Sequence, residues 1–244
     1  MQKSYLLCIG HRGALGHAPE NTLESVRKAL ELGVTCVEVD VYYVGGHLIV
    51  FHDDRLERTT NGSGYLSEQS FDYLRSLDAG DGQQIPTLEE VCDVIDSRAC
   101  LNIELKGQKT AEPVARLISN IIEKGWNKEK LLVSSFHRLE LLEMRRLHAD
   151  IKLGVLIRGI PADGVNFAEE IHAFSVHPSV DCVDQQFVYD AHRRGFKVYV
   201  YTVDHTGDIA NMQALGADGV FTGFPERVIQ KYAQGDASEG WRRK

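Results

Sequence analysis

The chain has no basic excess. Its 27 lysines and arginines are outnumbered by 35 aspartates and glutamates, for a net charge of −8. A nonspecific nucleic-acid binder carries a basic footprint, and so does a protein held on anionic membranes; neither is expected here. A pocket that is locally basic, suited to a small anion, stays compatible with the acidic whole. Long apolar runs are also missing. YLLCI, ahead of Gly10, is shorter than the apolar core of a signal peptide and far short of a membrane span. The expected location is therefore cytoplasmic, with no stable membrane association. Cysteine is scarce: five residues, an odd number, with no CxxC. Cys8, Cys36 and Cys100 sit in apolar runs and read as small buried hydrophobes of a reducing compartment. No GxGxxG follows the first apolar run, no HExxH occurs and Ser134-Ser135 forms no GxSxG elbow. These absences weaken dinucleotide binding, a zinc protease and a serine nucleophile in turn.

What the chain does have is alternation. SYLLCI, TCVEVDVYYV, ACLNIEL, LLVSSF, IKLGVLI, HAFSV, KVYVYTV and DGVFTG read as eight principal strands. HLIVFH is a further extended piece after the Gly45-Gly46 turn. Helical patterns lie between the strands, opened by Asn21 with Glu24 and by Thr87 with Glu90 as capping boxes. Parallel strands joined by crossovers follow from this order. Eight units in 244 residues fit a (β/α)8 TIM barrel forming one domain over 1–244; a doubly wound open sheet is the alternative. The polar, turn-rich stretch at about 53–86 reads as a small insertion after the second strand, with one short helix around Phe71 to Leu77. From about 233 the tail reads as solvated, with Trp241 incidental.

In a barrel, function collects at the C-terminal ends of the strands. There the sequence places His11 and Arg12 after strand one, Glu38 and Asp40 within strand two, His52, then Glu104 and Lys106, and Tyr201 to Asp204 near the end. Glu38 and Asp40 share one strand face, where unpaired charge is not tolerated. Lys106 and Arg12 could compensate them in a structural network, or a metal could. Three carboxylates without cysteine suit a hard divalent cation, Mg²⁺ or Ca²⁺. HRG and HD lack zinc-ligand spacing; the two histidines are better suited to general acid and general base. Arg12 and Lys106 suit an anionic substrate, arginine gripping phosphate in two-pronged fashion. Together these groups describe phosphodiester cleavage better than carboxylic ester cleavage. Asp53 reads equally as an orienter of His52 and as a turn aspartate. His177, near the mouth, reads as a lesser pocket candidate, and the remaining histidines read as loop, surface or helix positions.

The motifs are GHRG and PENT within 10–22, VEVDV at 37–41, HDDRLERTT at 52–60, IPTLEEV at 85–91, NIELK at 102–106, VSSF at 133–136, VYTVD at 200–204 and GADGVFTGFPE at 216–226. Through them the sequence resembles the glycerophosphodiester phosphodiesterase family, in particular its small bacterial cytosolic members, over nearly its whole length. The resemblance implies a TIM barrel, metal carboxylates at Glu38, Asp40 and Glu104, catalytic histidines at His11 and His52, phosphate-binding cations at Arg12 and Lys106, and pocket-lining aromatics at Phe136 and Tyr201. It implies a small glycerophosphodiester as partner, cleaved through a cyclic phosphate to sn-glycerol 3-phosphate and an alcohol. The family often has VWTVN where this chain has VYTVD, and TD where it has Thr222-Gly223. A related barrel phospholipase acting on lipid phosphodiesters is the alternative reading, and a catalytically silent binding barrel is a further one. A homo-oligomer is compatible with the sequence.

Overall fold

The computed structural model describes residues 5–159, 162–232 and 241. Eight parallel strands close on one another: β1 (Leu7–Gly10), β2 (Cys36–Val44), β4 (Cys100–Leu105), β5 (Leu131–Ser135), β6 (Lys152–Ile157), β7 (Ser175–Pro178), β8 (Lys197–Val200) and β9 (Gly219–Thr222). β1 pairs with both β9 and β2, which closes the barrel. The remaining strand, β3 (His47–Val50), folds back antiparallel on the outer half of β2. The HLIVFH run is thus the second arm of a hairpin, turned by Gly45 and Gly46, both at positive φ.

Alternation along each strand explains the layering. On β2, Val37, Val39 and Val41 join the large apolar cluster shared with α1 (Leu23–Glu31) and α3 (Leu88–Ile95). Glu38 and Asp40, on the opposite face, enter the barrel. Register carries this across the sheet, with Glu38 beside Asn102 and Asp40 beside Glu104.

The segment between β3 and α3 holds a 3₁₀ turn at Leu66–Glu68 and α2 (Phe71–Ser76). It is polar in sequence yet has an apolar centre of its own. Leu56, Leu66, Leu74, Leu77 and Ile85 pack with Ile49 and Phe51 below the hairpin. At α3 the expected capping box is present, Thr87 and Glu90 exchanging bonds. At α1 it is not: Thr22 is the cap, its hydroxyl accepting from Ser25 N. Asn21 has φ +57 and is turned into the barrel mouth.

The tail expectation fails at one residue. Residues 233–240 and 242–244 lie outside the described residues, but Trp241 is 1% exposed. It belongs to a cluster with Leu7, Cys36, Cys100, Leu132 and Phe174, at the N-terminal ends of their strands. The indole closes the barrel end opposite the mouth, where its burial removes far more apolar surface from water than a solvated tail would.

Candidate functional site

The first loop is shaped by steric demands. Gly13 has φ +85, and a Cβ there would lie 2.2 Å from Ser25 Oγ. At Gly10 the demand is space alone, since a Cβ would meet Gly13 O at 2.6 Å. Between them Arg12 itself adopts φ +51, unfavourable for a side-chain-bearing residue. The turn is held by Ser25 Oγ donating to Arg12 O at 2.6 Å and by His11 N donating to Thr222 O at 3.0 Å.

This turn brings His11 and Arg12 over the carboxylates. A cavity of about 240 Å³ is lined by His11, Arg12, Glu38, His52, Glu104, Lys106, Phe136 and Tyr201, with Leu156, Arg158, Thr202 and Phe221 completing the wall. Asp40 joins Glu38 and Glu104 beneath it: one ligand atom from each lies within 4.8 Å of the others. The nine residues to which the family resemblance gives metal, catalytic or binding roles therefore converge on one place.

The three carboxylates are unequally satisfied. Asp40 Oδ2 accepts from Asn21 Nδ2 at 2.9 Å and lies 3.4 Å from Arg12 Nε, an ion-pair distance without hydrogen-bond alignment. Lys106 Nζ lies 3.7 Å from Asp40 Oδ1 and donates to Glu104 Oε1 at 3.1 Å. Glu38 Oε2 accepts from Arg12 N at 2.8 Å, but Glu38 Oε1 is buried without a partner. Burial, with Asp40 and Glu104 nearby, pushes Glu38 well above the usual carboxylate range. Burial and Asp40 push Glu104 up to about 7 against the pull of Lys106. Burial alone would lower Lys106, but Glu104 and Asp40 outweigh it and raise it. An oxygen left unpartnered among three buried acids is the environment a hard cation fits.

Burial holds the His11 imidazole well below its usual range, helped by Arg12 and His52. His52 is lowered less, again by burial first, with Asp40 opposing. His52 Nδ1 lies 2.5 Å from Asp53 Oδ1. A carboxylate only accepts, so Nδ1 carries the proton and Nε2 is left for the cavity. His11 Nδ1 lies 3.4 Å from Thr202 Oγ1. Phe136 and Tyr201 meet edge to face at 5.9 Å, with Tyr201 Oη donating to Ile157 O at 2.9 Å. His177 is not at the mouth. It is fully buried inside the barrel, Nε2 at 2.8 Å from Ser175 Oγ, against Tyr199 and Phe221. Burial lowers its pKa to about 3.

The glycerophosphoryl diester phosphodiesterase family matches residues 11–227. The chain belongs to this family. Membership makes it a hydrolase of phosphoric diesters. A glycerophosphodiester phosphodiesterase of Caldanaerobacter subterraneus is 33% identical, covering 94% of this chain and 98% of its own. Another from Bacillus altitudinis is 33% identical over 91% and 96%. Among solved structures, an Oleispira antarctica phosphodiesterase in complex with the product sn-glycerol-3-phosphate has a TM-score of 0.86 at 32% identity, covering 93% of this chain and 96% of that one.

Two departures from the phosphodiesterase motifs meet in the fold. Asp204 Oδ1 accepts from Thr222 Oγ1 at 3.0 Å and from Gly223 N at 2.8 Å. Asp204 therefore fastens the loop after β9 and does not line the cavity. Sequence reasoning missed several residues that matter here. Asn21 read as a cap but holds both the backbone and carboxylate of Asp40. Glu20 and Arg58 lay inside the quoted motifs without a role. Arg158 had no part in the sequence reading, yet its guanidinium lies 5.4 Å from the Phe136 ring centroid at the cavity wall. No described helix is long and apolar enough to cross a membrane.

Proposed function

We propose that the protein hydrolyses glycerophosphodiesters to sn-glycerol 3-phosphate and an alcohol, with Mg²⁺ or Ca²⁺ held by Glu38, Asp40 and Glu104. The observation that carries this reading is the meeting, at one small cavity, of three buried acids, two imidazoles and the basic side chains of Arg12, Lys106 and Arg158. The phosphodiester anion faces Arg12 and Lys106, whose positive charge is retained because their neighbours are carboxylates. One imidazole takes the proton of the glycerol 2-hydroxyl as its oxygen attacks phosphorus. The other gives a proton to the alcohol oxygen as its bond to phosphorus breaks. Water then opens the cyclic 1,2-phosphate with the two histidines in exchanged roles. When bound, the cation neutralises charge on the phosphoryl oxygens and acidifies the attacking hydroxyl.

His11, kept neutral by burial, is ready to accept a proton near neutral pH. Asp53 supports a proton on His52 Nδ1 and fixes the ring plane. Phe136 and Tyr201 give the glycerol carbons an apolar wall. A cavity of about 240 Å³ is small against ordinary ligand pockets and favours a deacylated substrate over an intact phospholipid. The test is release of glycerol 3-phosphate from glycerophosphocholine, glycerophosphoethanolamine and glycerophosphoglycerol, after stripping with EDTA and on return of Mg²⁺ or Ca²⁺. Undiminished turnover in fully stripped protein would remove the metal from the reading. Cleavage of vesicle phospholipid in preference to all three would favour the lipid enzyme.

A further inference from the structure

His52 and Arg12 stand on different loops, after β3 and after β1, and a single chain of charged side chains joins them. Asp53, bonded to His52 Nδ1, also accepts from Arg58 Nε at 2.5 Å and from Arg58 Nη2 at 2.9 Å. The same guanidinium donates to Glu20, Nη1 to Oε2 at 2.9 Å and Nη2 to Oε1 at 2.6 Å. Glu20 Oε1 in turn accepts from Arg12 Nη1 at 2.7 Å. Arg58 thus bridges two carboxylates, each of which grips a residue of the site.

We propose that Arg58 is a positioning residue of the hydrolysis: its planar fork fixes the orientation of the His52 ring and the reach of the Arg12 guanidinium at once. The inference rests on the hydrolase reading given above. Arg58 does not line the inner cavity; it lines the open groove beside it, with His52, Asp53 and Lys106. It therefore acts through its neighbours and not on substrate. As a stability device it would be weak, because a half-exposed ion pair contributes little. Its geometry is the informative part. A guanidinium can pair two carboxylates in one plane, whereas an ammonium supplies a single point of charge. Both ends of the strut are charged and partly shielded from water: the Glu20 and Asp53 side chains are 17% and 22% exposed, and both titrate at about 2. For Glu20 burial acts upward and is overcome by Arg58 and Arg12; for Asp53 the Arg58 bond is the largest influence. Without Arg58, Asp53 loses the partner that sets its plane, and Glu20 keeps only Arg12.

The test compares wild type, Arg58→Ala, Arg58→Lys, Asp53→Asn and the Arg58→Ala/Asp53→Asn double variant on glycerophosphocholine, with thermal unfolding for each. The expected loss in kcat for Arg58→Ala is on the order of 10- to 100-fold, the scale found for outer partners of site ligands. The unfolding temperature should stay near wild type, Arg58→Lys should recover little, and free guanidinium should restore part of the loss. The double variant should lose less than the two single losses combined, since the Asp53 arm of the strut is broken in both. An Arg58→Ala kcat within about twofold of wild type, or losses that simply add, would overturn the strut. If Arg58→Ala unfolds, the Arg58→Lys turnover decides by the same criteria. The ¹⁵N signals of the His52 ring give a readout that needs no turnover. A changed Nδ1 signal in Arg58→Ala supports the strut, and an unchanged one refutes it, even if wild type cleaves no glycerophosphodiester and the hydrolase reading itself has failed.

Discussion

The backbone N–H of Arg12 donates to Glu38 Oε2 at 2.8 Å, so the loop after β1 and a buried carboxylate of β2 are fixed to each other. The left-handed turn at Arg12 is what aims that N–H inward. Glu38 spends one oxygen on this bond and keeps the other unpartnered.

From that asymmetry comes a prediction about metal and pH. Glu104 titrates at about 7 and Glu38 is also raised, both from a usual value of 4.5, chiefly by burial. At these two groups the folded, metal-free chain binds more protons than the unfolded chain above roughly pH 4.5, so their contribution to stability falls as pH rises towards 7. A divalent cation needs the carboxylates ionised. Calorimetry should therefore show Mg²⁺ or Ca²⁺ raising the unfolding temperature more at pH 8 than at pH 5.5. Glu104→Gln should stabilise the metal-free protein at pH 8 while reducing turnover. Equal cation effects at both pH values would contradict the assignment.

His11→Ala and His52→Ala should each lower turnover by on the order of 10²–10⁴. Circular dichroism and unfolding temperature should remain close to wild type, since both rings border the cavity. Activity near that of wild type in either variant would rule that histidine out of proton transfer.

His177 predicts a second, opposite pH effect. Its folded pKa, lowered to about 3 by burial, lies below the unfolded value of 6.5. Below pH 6.5 the unfolded chain takes a proton that the folded chain refuses, so stability falls by about 1.4 kcal/mol per pH unit from this group down to pH 3. Urea unfolding of His177→Gln between pH 4 and 7 should show a shallower loss than wild type. Parallel curves would mean that the imidazole titrates normally.

Trp241→Ala should cost about 3–5 kcal/mol of stability, the range for removing a buried large aromatic. Turnover at 25 °C should persist, because the indole sits at the end of the barrel away from the cavity. A loss under about 0.5 kcal/mol would instead describe a surface residue.

The barrel was readable because its signals are local: apolar runs of strand length, helical periodicity and turn residues recur eight times. The meeting of Glu38, Asp40 and Glu104 was readable because strand alternation fixes side-chain direction before the fold is known. The outlying pieces depend on contacts between distant segments. Arg58 and Glu20 are 38 positions apart and pair across two loops, and neither composition nor spacing encodes that pairing. Asn21 carries a good capping side chain, but its positive φ sends it to Asp40 and leaves the cap to Thr22. Trp241 is one aromatic between a run of small and acidic residues and a basic Arg-Arg-Lys end, and only the hydrophobic floor of the closed barrel makes it a core residue.

The hairpin bearing His52 at its end has one further effect. Barrel closure uses up the edges of the eight parallel strands, leaving β3 as the place where a sheet edge could lie open. That edge is covered: Val50 N donates to Pro86 O at 2.9 Å, and Ile49 bridges Thr87. Pro86 offers no N–H beyond it. At Ile49 and Val50, edge-to-edge pairing with another molecule would first have to displace the 86–87 segment.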